Sequence, residues 1–226
     1  MPRSDISMMP DDLLKPLTKE QIRCLIAYLQ SPVQVPMLAT AENVKDFFNG
    51  KDLTGWDGAQ GLWKVENGEI VGRSPGIKKN EFLKSHMTAG EFRLRVKVKL
   101  VPNAGNSGIQ FRSEALPDGE MRGPQADVGA GWWGKLYEEN ARGLICDKSG
   151  EPFVKVDDWN DYEVIAAGSR IRTFINGHAC VDLDDPSGPR RGIFAFQIHA
   201  GGPMEVRFKD LRLELDPAPS ANHSGR

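Results

Sequence analysis

The sequence predicts an all-β protein, a jelly-roll sandwich of two antiparallel sheets with one short α-helix in front of it. Three observations carry that prediction. Asn67-Gly68 and Asn176-Gly177 each sit between alternating segments, and an Asn-Gly pair suits the two positive φ angles of a type I′ hairpin. From Glu91 to Leu100 the chain alternates strictly, with Phe92, Leu94, Val96, Val98 and Leu100 on one face and Arg93, Arg95, Lys97 and Lys99 on the other. The 24 glycines and 15 prolines among 226 residues supply the frequent turns that many short strands require.

Taken in order, the first element is helical. Ile22, Leu25, Ile26 and Leu29 recur at the spacing of one helix face, Thr18 and Gln21 have the form of a capping box, and Pro32 stops the helix. Ser31 to Pro36 reads as an extended linker. Residues 1–36 are therefore expected as a helical segment plus linker, 37–217 as the sandwich, and 218–226 as a frayed tail. Strands are expected in Trp63–Val71 as a hairpin, then at Glu91–Leu100, Ser107–Arg112, Gln125–Val128, Tyr162–Ala167, Arg170–Ile175, Gly192–His199 and Met204–Leu215. In the last, Val206 and Phe208 are out of phase with Leu211, Leu213 and Leu215, which predicts a bulge near Lys209-Asp210.

Composition removes several function classes. A formal net charge of -2 gives no electrostatic reason to bind nucleic acid or an anionic membrane surface. No apolar run reaches the length of a membrane span, and the N-terminus shows no basic segment followed by an apolar signal-peptide core. Cys24, Cys146 and Cys180 are widely spaced and odd in number, so neither a disulfide framework nor a zinc knuckle is expected.

Three strands place two polar side chains, none of them lysine, two residues apart on one face: Gln110/Arg112, Gln125/Asp127 and Gln197/His199. Apolar neighbours such as Ile109, Phe111, Ala126, Val128, Phe196 and Ile198 would then pack inward. If the strands adjoin, the pairs form one patch of amide, guanidinium, carboxylate and imidazole suited to sugar hydroxyls; otherwise they are an ordinary solvated sheet face. The segment Gly129–Gly143 reads as a loop rich in glycine, aromatics and charge. Trp132 or Trp133 could lie against a pyranose face or plug the end of the core, while Glu138, Glu139 and Arg142 could supply acid, base or metal-ligand groups.

With these residues the chain resembles the 3-keto-disaccharide hydrolase family, whose fold is a concanavalin A-like jelly roll. The resemblance runs from Val44 to Leu215 through Phe47–Trp56, Gly105-Asn106-Ser107-Gly108-Ile109-Gln110-Phe111-Arg112, Asp158–Tyr162, Ile175-Asn176-Gly177, His199–Pro203 and Val206–Leu211. It implies cleavage of 3-keto-glycosides: a base removes the C2 hydrogen acidified by the C3 ketone, the glycosidic oxygen leaves C1, and water adds. Under that implication Asp127 or Glu138 is the base, and Arg112 and His199 are enolate or hydroxyl contacts. Gln110, Gln125, Trp132, Tyr137, Arg142 and Gln197 are then expected to bind substrate. A divalent metal, if used, would fall to Asp127, Glu139 and His199. Relatives often carry an acid in the strand after the central motif; alignment of that position with Gln125 would point instead to a lectin-like, non-catalytic module. A conventional glycosidase would need two facing carboxyls about 5 to 9 Å apart. The family resemblance also implies a periplasmic or extracellular setting.

The segment Ser7-Met8-Met9-Pro10 with Leu17–Leu29 is similar to the end of a c-type cytochrome domain, in which the methionine would be an axial haem ligand. No Cys-x-x-Cys-His attachment site occurs, so that resemblance implies either a haem domain elsewhere in a longer parent chain or the degenerate relic of such a fusion.

Overall fold

The computed structural model describes residues 14–30 and 35–217. Its contacts divide the chain into two compact units, Met1–Val35 and Pro36–Arg226. In the first, α1 spans Lys19–Gln30. The capping box closes reciprocally: the Thr18 N–H donates to Gln21 Oε1 at 2.8 Å and the Gln21 N–H to Thr18 Oγ1 at 3.2 Å. Ile26, Tyr28 and Leu29 on this helix are exposed. Ser7–Pro10, Pro32 and the segment after Pro217 lie outside the described residues.

The second unit is a sandwich of two sheets. One holds, in spatial order, β1 (Met37–Leu38), β5 (Glu81–Ala89), β14 (Gly192–Ile198), β7 (Asn106–Ala115), β8 (Met121–Gly129), β9 (Leu136–Glu139) and β10 (Gly143–Cys146), with β2 (Trp56–Asp57) also paired to β5. The other runs β13 (His178–Asp184), β12 (Arg170–Ile175), β11 (Asn160–Ala167), β6 (Phe92–Val101), β15 (Met204–Leu215), β4 (Glu69–Ser74) and β3 (Trp63–Glu66). All these pairings are antiparallel except the two-residue parallel contact of β1 with β5, a small departure from the expected all-antiparallel sheets. Many successive residues along each ladder must satisfy their backbone groups with a neighbour strand, which is why short strands recur in both layers.

Between the sheets lies a core built from the inward half of each alternation. Phe92, Leu94, Val98, Phe194, Phe196, Val206 and Phe208 are fully buried or nearly so, and the Phe196 and Phe208 rings stack across the gap at 3.9 Å. Burial of each such side chain stabilises the fold by ~2 to 3 kcal/mol. The Asn-Gly hairpins adopt the predicted geometry, with Asn67 at φ 52° and Asn176 at φ 50°. A register shift between Lys209 and Arg212, with Asp210 at φ 54°, returns Leu213 to the core side.

The alternation rule missed β5 and the short pair β9/β10, and gave β13 only as the second arm of the Asn176-Gly177 hairpin. β5 is buried on both faces over Phe82-Leu83, so its pattern is not a clean period of two. The segment Gly129–Gly143, expected as a loop, contains β9, whose four residues are too few to stand out beside Gly131 and Gly134. Among the described residues no helix is long and apolar enough to cross a membrane.

Candidate functional site

The face of the first sheet turned away from the core carries the polar cluster. Ile109, Ala126, Val128, Phe196 and Ile198 are fully buried against the second sheet, so their alternate neighbours Gln110, Gln125, Asp127 and Gln197 project the other way. Register aligns these residues: Ala195 of β14 faces Gln110 of β7, Gln110 faces Gln125 of β8, and Gln125 faces Tyr137 of β9. Gly108, opposite Asp127, is required here because a Cβ would come within 2.2 Å of the Gln125 side chain.

A cavity of about 210 Å³ opens over this row. Gln125 and Asp127 form its floor, Trp132, Tyr137 and Glu139 one side, and Asn80, Asn106 and His199 the other lining groups. The amides beneath the carboxylates are joined. Gln110 Nε2 donates to Gln125 Oε1 at 2.9 Å; Gln125 Nε2 donates to Asp127 Oδ1 at 2.8 Å and to Gln197 Oε1 at 3.2 Å; Gln197 Nε2 donates to Glu139 Oε1 at 3.0 Å. Both amide hydrogens of Gln125 are thereby used, which leaves it an acceptor toward any ligand. Gln110 and Gln197, expected to touch substrate, are instead fully buried and line no part of the cavity.

Asp127 is 3% exposed, and its Oδ2 is buried with no hydrogen-bond partner. Burial pushes its carboxyl up from 3.8 to about 7, the nearby Glu139 charge adds to that, and the Gln125 hydrogen bond pulls the other way. Burial likewise raises the Glu139 carboxyl against the Gln197 hydrogen bond. Two acids joined through amides thus share one small polar space, and one titrates near neutrality. The backbone carbonyl of Asp127 accepts a hydrogen bond from the Tyr162 hydroxyl of the opposite sheet at 3.1 Å. His199 places Nδ1 2.7 Å from the Ala200 carbonyl oxygen. A carbonyl can only accept, so Nδ1 carries the hydrogen of this contact and Nε2 is left for another partner.

Trp132 is 36% exposed beside the cavity, edge-on to Tyr137 and with the Lys135 ammonium 5.1 Å from its ring centre. Trp133 is buried, its Nε1 donating to Asn103 Oδ1 at 2.8 Å, and so plugs the core end.

Three expected site residues lie elsewhere. Arg112 does not join Gln110, because a bulge after Gln110 inserts a residue and puts Arg112 at φ 50°; Ser113 takes the place beside Gln110. The Arg112 guanidinium, 2% exposed, instead donates to the carbonyls of Gly90 at 2.7 Å, Gly168 at 2.9 Å and Pro189 at 3.4 Å, tying three loops at one end of the sandwich. Glu138 and Arg142 are the other two. Within β9, Tyr137 and Glu139 share the cavity side, so Glu138 points oppositely and pairs with Arg142, which also grips both Asp185 oxygens at 2.8 and 2.7 Å. That pairing holds the Asp185 carboxyl below its ordinary range. Glu139 was legible as an acid, base or metal-ligand candidate beside Glu138; reading Leu136–Glu139 as a strand would have separated the two. Asn80 carried no local signal, since only the fold brings it to His199.

Asp127, Glu139 and His199 line one cavity, yet among the described residues no group of three His, Cys, Asp or Glu side chains is close enough to hold a metal ion. One oxygen of each carboxylate is already committed to an amide. The residues as arranged do not fit a three-ligand metal centre. A larger cavity, about 850 Å³, lies beside Trp63 and Met204 and shares no residue with this cluster.

A two-layer sandwich with an acid-and-amide cavity on one outer face places the chain among the jelly rolls. The chain belongs to the 3-keto-alpha-glucoside-1,2-lyase-like domain family, whose model matches residues 43–214. No curated protein matches it. Among solved structures it is similar to the carbohydrate-binding module CBM66 from Bacillus subtilis, at 19% identity and TM-score 0.57, covering 71% of this chain and 95% of that one. It is also similar to a candidate glycosyl hydrolase from Parabacteroides distasonis, at 19% identity and TM-score 0.58 over 79% and 98% of the two chains. A Bacillus subtilis protein of unknown function with a galectin-like fold matches at 13% identity and TM-score 0.56 over 78% and 92%. At these identities the structural likeness speaks to the fold alone.

Proposed function

We propose that this domain cleaves 3-keto-glycosides by elimination and hydration, with Asp127 as the base. The observation that carries the reading is a nearly buried carboxyl on the floor of a polar cavity, titrating at about 7 rather than 3.8. A base so tuned is ionised for an appreciable fraction at neutral pH yet holds a proton well once it takes one. The C3 ketone makes the C2 hydrogen acidic; Asp127 removes it, and the C2–H electrons form the enolate. The enolate collapses, the C1–O bond breaks, and the departing oxygen takes a proton from Glu139, whose burial favours the protonated form. Water then adds at C1 of the resulting enone, its proton returning to Glu139, and Asp127 gives back the C2 proton. The sum is one water consumed for one 3-keto-sugar and one alcohol.

His199 and Asn80 serve as contacts to the sugar oxygens. Asn80 uses its Oδ1 to accept from the Ala200 N–H at 2.9 Å, which leaves its amide nitrogen as the donor end. Trp132 supplies an apolar face to a pyranose. Its exposure also favours a second reading, non-catalytic sugar binding. An exported setting accompanies both readings, and cell fractionation tests it.

Incubation of the purified protein with 3-keto-trehalose and aryl 3-keto-glucosides, with and without chelator, distinguishes the two. Release of 3-keto-glucose, lost in Asp127→Asn, is the expected result. Binding of the sugars without turnover in either condition would overturn the enzymatic reading in favour of the binding module.

A further inference from the structure

Beneath the cavity floor, the hydrogen bonds form a chain with one direction. Ser113 Oγ is 2.6 Å from Gln110 Oε1, closer than to its other acceptors, the carbonyls of Phe111 at 3.0 Å and Pro124 at 3.4 Å. With its oxygen taken by the hydroxyl, the Gln110 amide presents nitrogen to Gln125, and Gln125 in turn presents nitrogen to Asp127 and Gln197. A primary amide has a donor end and an acceptor end, and turning one over in such a chain sets donor against donor or acceptor against acceptor. The ionised Asp127 carboxylate can only accept, so it turns nitrogen toward itself at Gln125, and the same sense runs back through Gln110 to the hydroxyl of Ser113.

Gln110 is fully buried and Ser113 is 2% exposed; neither lines the cavity over Asp127, while Ser113 borders a separate cavity of about 430 Å³ on the Arg112 side. The bulge in β7 has a role here: by carrying Arg112 out to the loops it places the small hydroxyl of Ser113 beside Gln110. Space is equally tight around the hydroxyl, since a Cβ on Gly123 would fall 2.5 Å from Ser113 Oγ. Gly108 and Gly123 thus leave room for the two ends of the same chain.

We propose that Ser113 and Gln110 are positioning residues, which touch no substrate but hold the Gln125 amide with its nitrogen toward Asp127. The role in turnover rests on the 3-keto-glycoside reading above; the positioning of Gln125 does not. Without the Ser113 hydroxyl the Gln110 oxygen loses its donor, the Gln110 amide is freer to turn away from Gln125, and the Gln125 amide that donates to Asp127 is held less firmly. Positioning of this kind acts on the chemical step more than on sugar affinity, whose contacts lie on the cavity walls.

The test uses the full chain and two variants, Ser113→Ala and Gln110→Met, with two readouts. The first is hydrogen exchange of the Gln125 side-chain amide by NMR, the resonance being assigned by its loss in Gln125→Glu. The second is steady-state kinetics on a 3-keto-glucoside, separated into kcat and KM. Exchange of the Gln125 amide faster by about tenfold, with kcat down about tenfold and KM within about twofold, is expected for loss of one buried hydrogen bond. Unchanged exchange in both variants would overturn the positioning role, as would faster exchange with unchanged kcat in a protein that turns the sugar over. If the unmodified protein shows no turnover while exchange responds to both variants, the proposed reaction fails and the positioning of Gln125 stands.

Discussion

Asp127→Asn should abolish turnover and, at alkaline pH, make the protein more stable. In the fold, burial raises the Asp127 carboxyl from 3.8 to about 7, so the folded state binds a proton that the unfolded chain has already released. The raised value means that the contribution to stability is greatest below 3.8, is lost as pH rises toward 7, and stays lost above it. At ~1.4 kcal/mol per tenfold change in proton concentration, that interval corresponds to ~4 kcal/mol. At about pH 5 part of the cost is already present; ~3 kcal/mol remains to appear by about pH 8.5. Asparagine has no charge to bury and keeps an oxygen for the Gln125 donor. Urea unfolding of both proteins at the two pH values, read as the change in their stability difference, should therefore favour the variant by ~3 kcal/mol more at the higher pH. A change below ~0.5 kcal/mol would mean that Asp127 is hydrated when ionised, and the tuned-base argument would fall with it.

Glu139→Gln removes the group proposed to protonate the departing oxygen, so kcat should fall for alkyl 3-keto-glucosides and fall less for aryl ones, whose leaving group needs no proton; initial rates on the two substrates check this. Arg112→Met cuts three ties to backbone carbonyls at one end of the sandwich and should cost ~2 to 4 kcal/mol in denaturant unfolding, with KM for the 3-keto-sugar unchanged in the folded fraction. Trp132→Ala should weaken sugar binding about tenfold by calorimetry, with a melting temperature within about two degrees of the parent because the ring is 36% exposed.

The parts of the fold that follow local rules were readable in advance. The capping box of α1, both Asn-Gly hairpins, the alternation of β6 and the bulge at Asp210 each depend on residues a few positions apart, and each is present. Gln110, Gln125, Asp127 and Gln197 could be placed on one face for the same reason. The cavity depends on what local pattern cannot carry. A single inserted residue in β7 exchanged Arg112 for Ser113 beside Gln110, and the unrecognised strand β9 exchanged Glu138 for Glu139 at the cavity. In both cases the expected side chain became a structural tie, and the next residue along the chain entered the polar cluster. Asn80 reaches the cavity only because β14 and β7 bring His199 and Asn106 together, with the His199 N–H donating to the Asn106 carbonyl at 3.2 Å.

The phenol of Tyr162, reaching up from the second sheet to the main chain of Asp127, nails the middle of the cavity to the layer behind it. A floor fastened from below offers little freedom to follow ligands of different shape. On the proposed reading, variety in the sugars accepted would originate at the margin, from changes around Trp132, Tyr137, Asn80 and the turn after His199. Two members of such a family could share every atom of the base and its supports and still serve unlike glycosides.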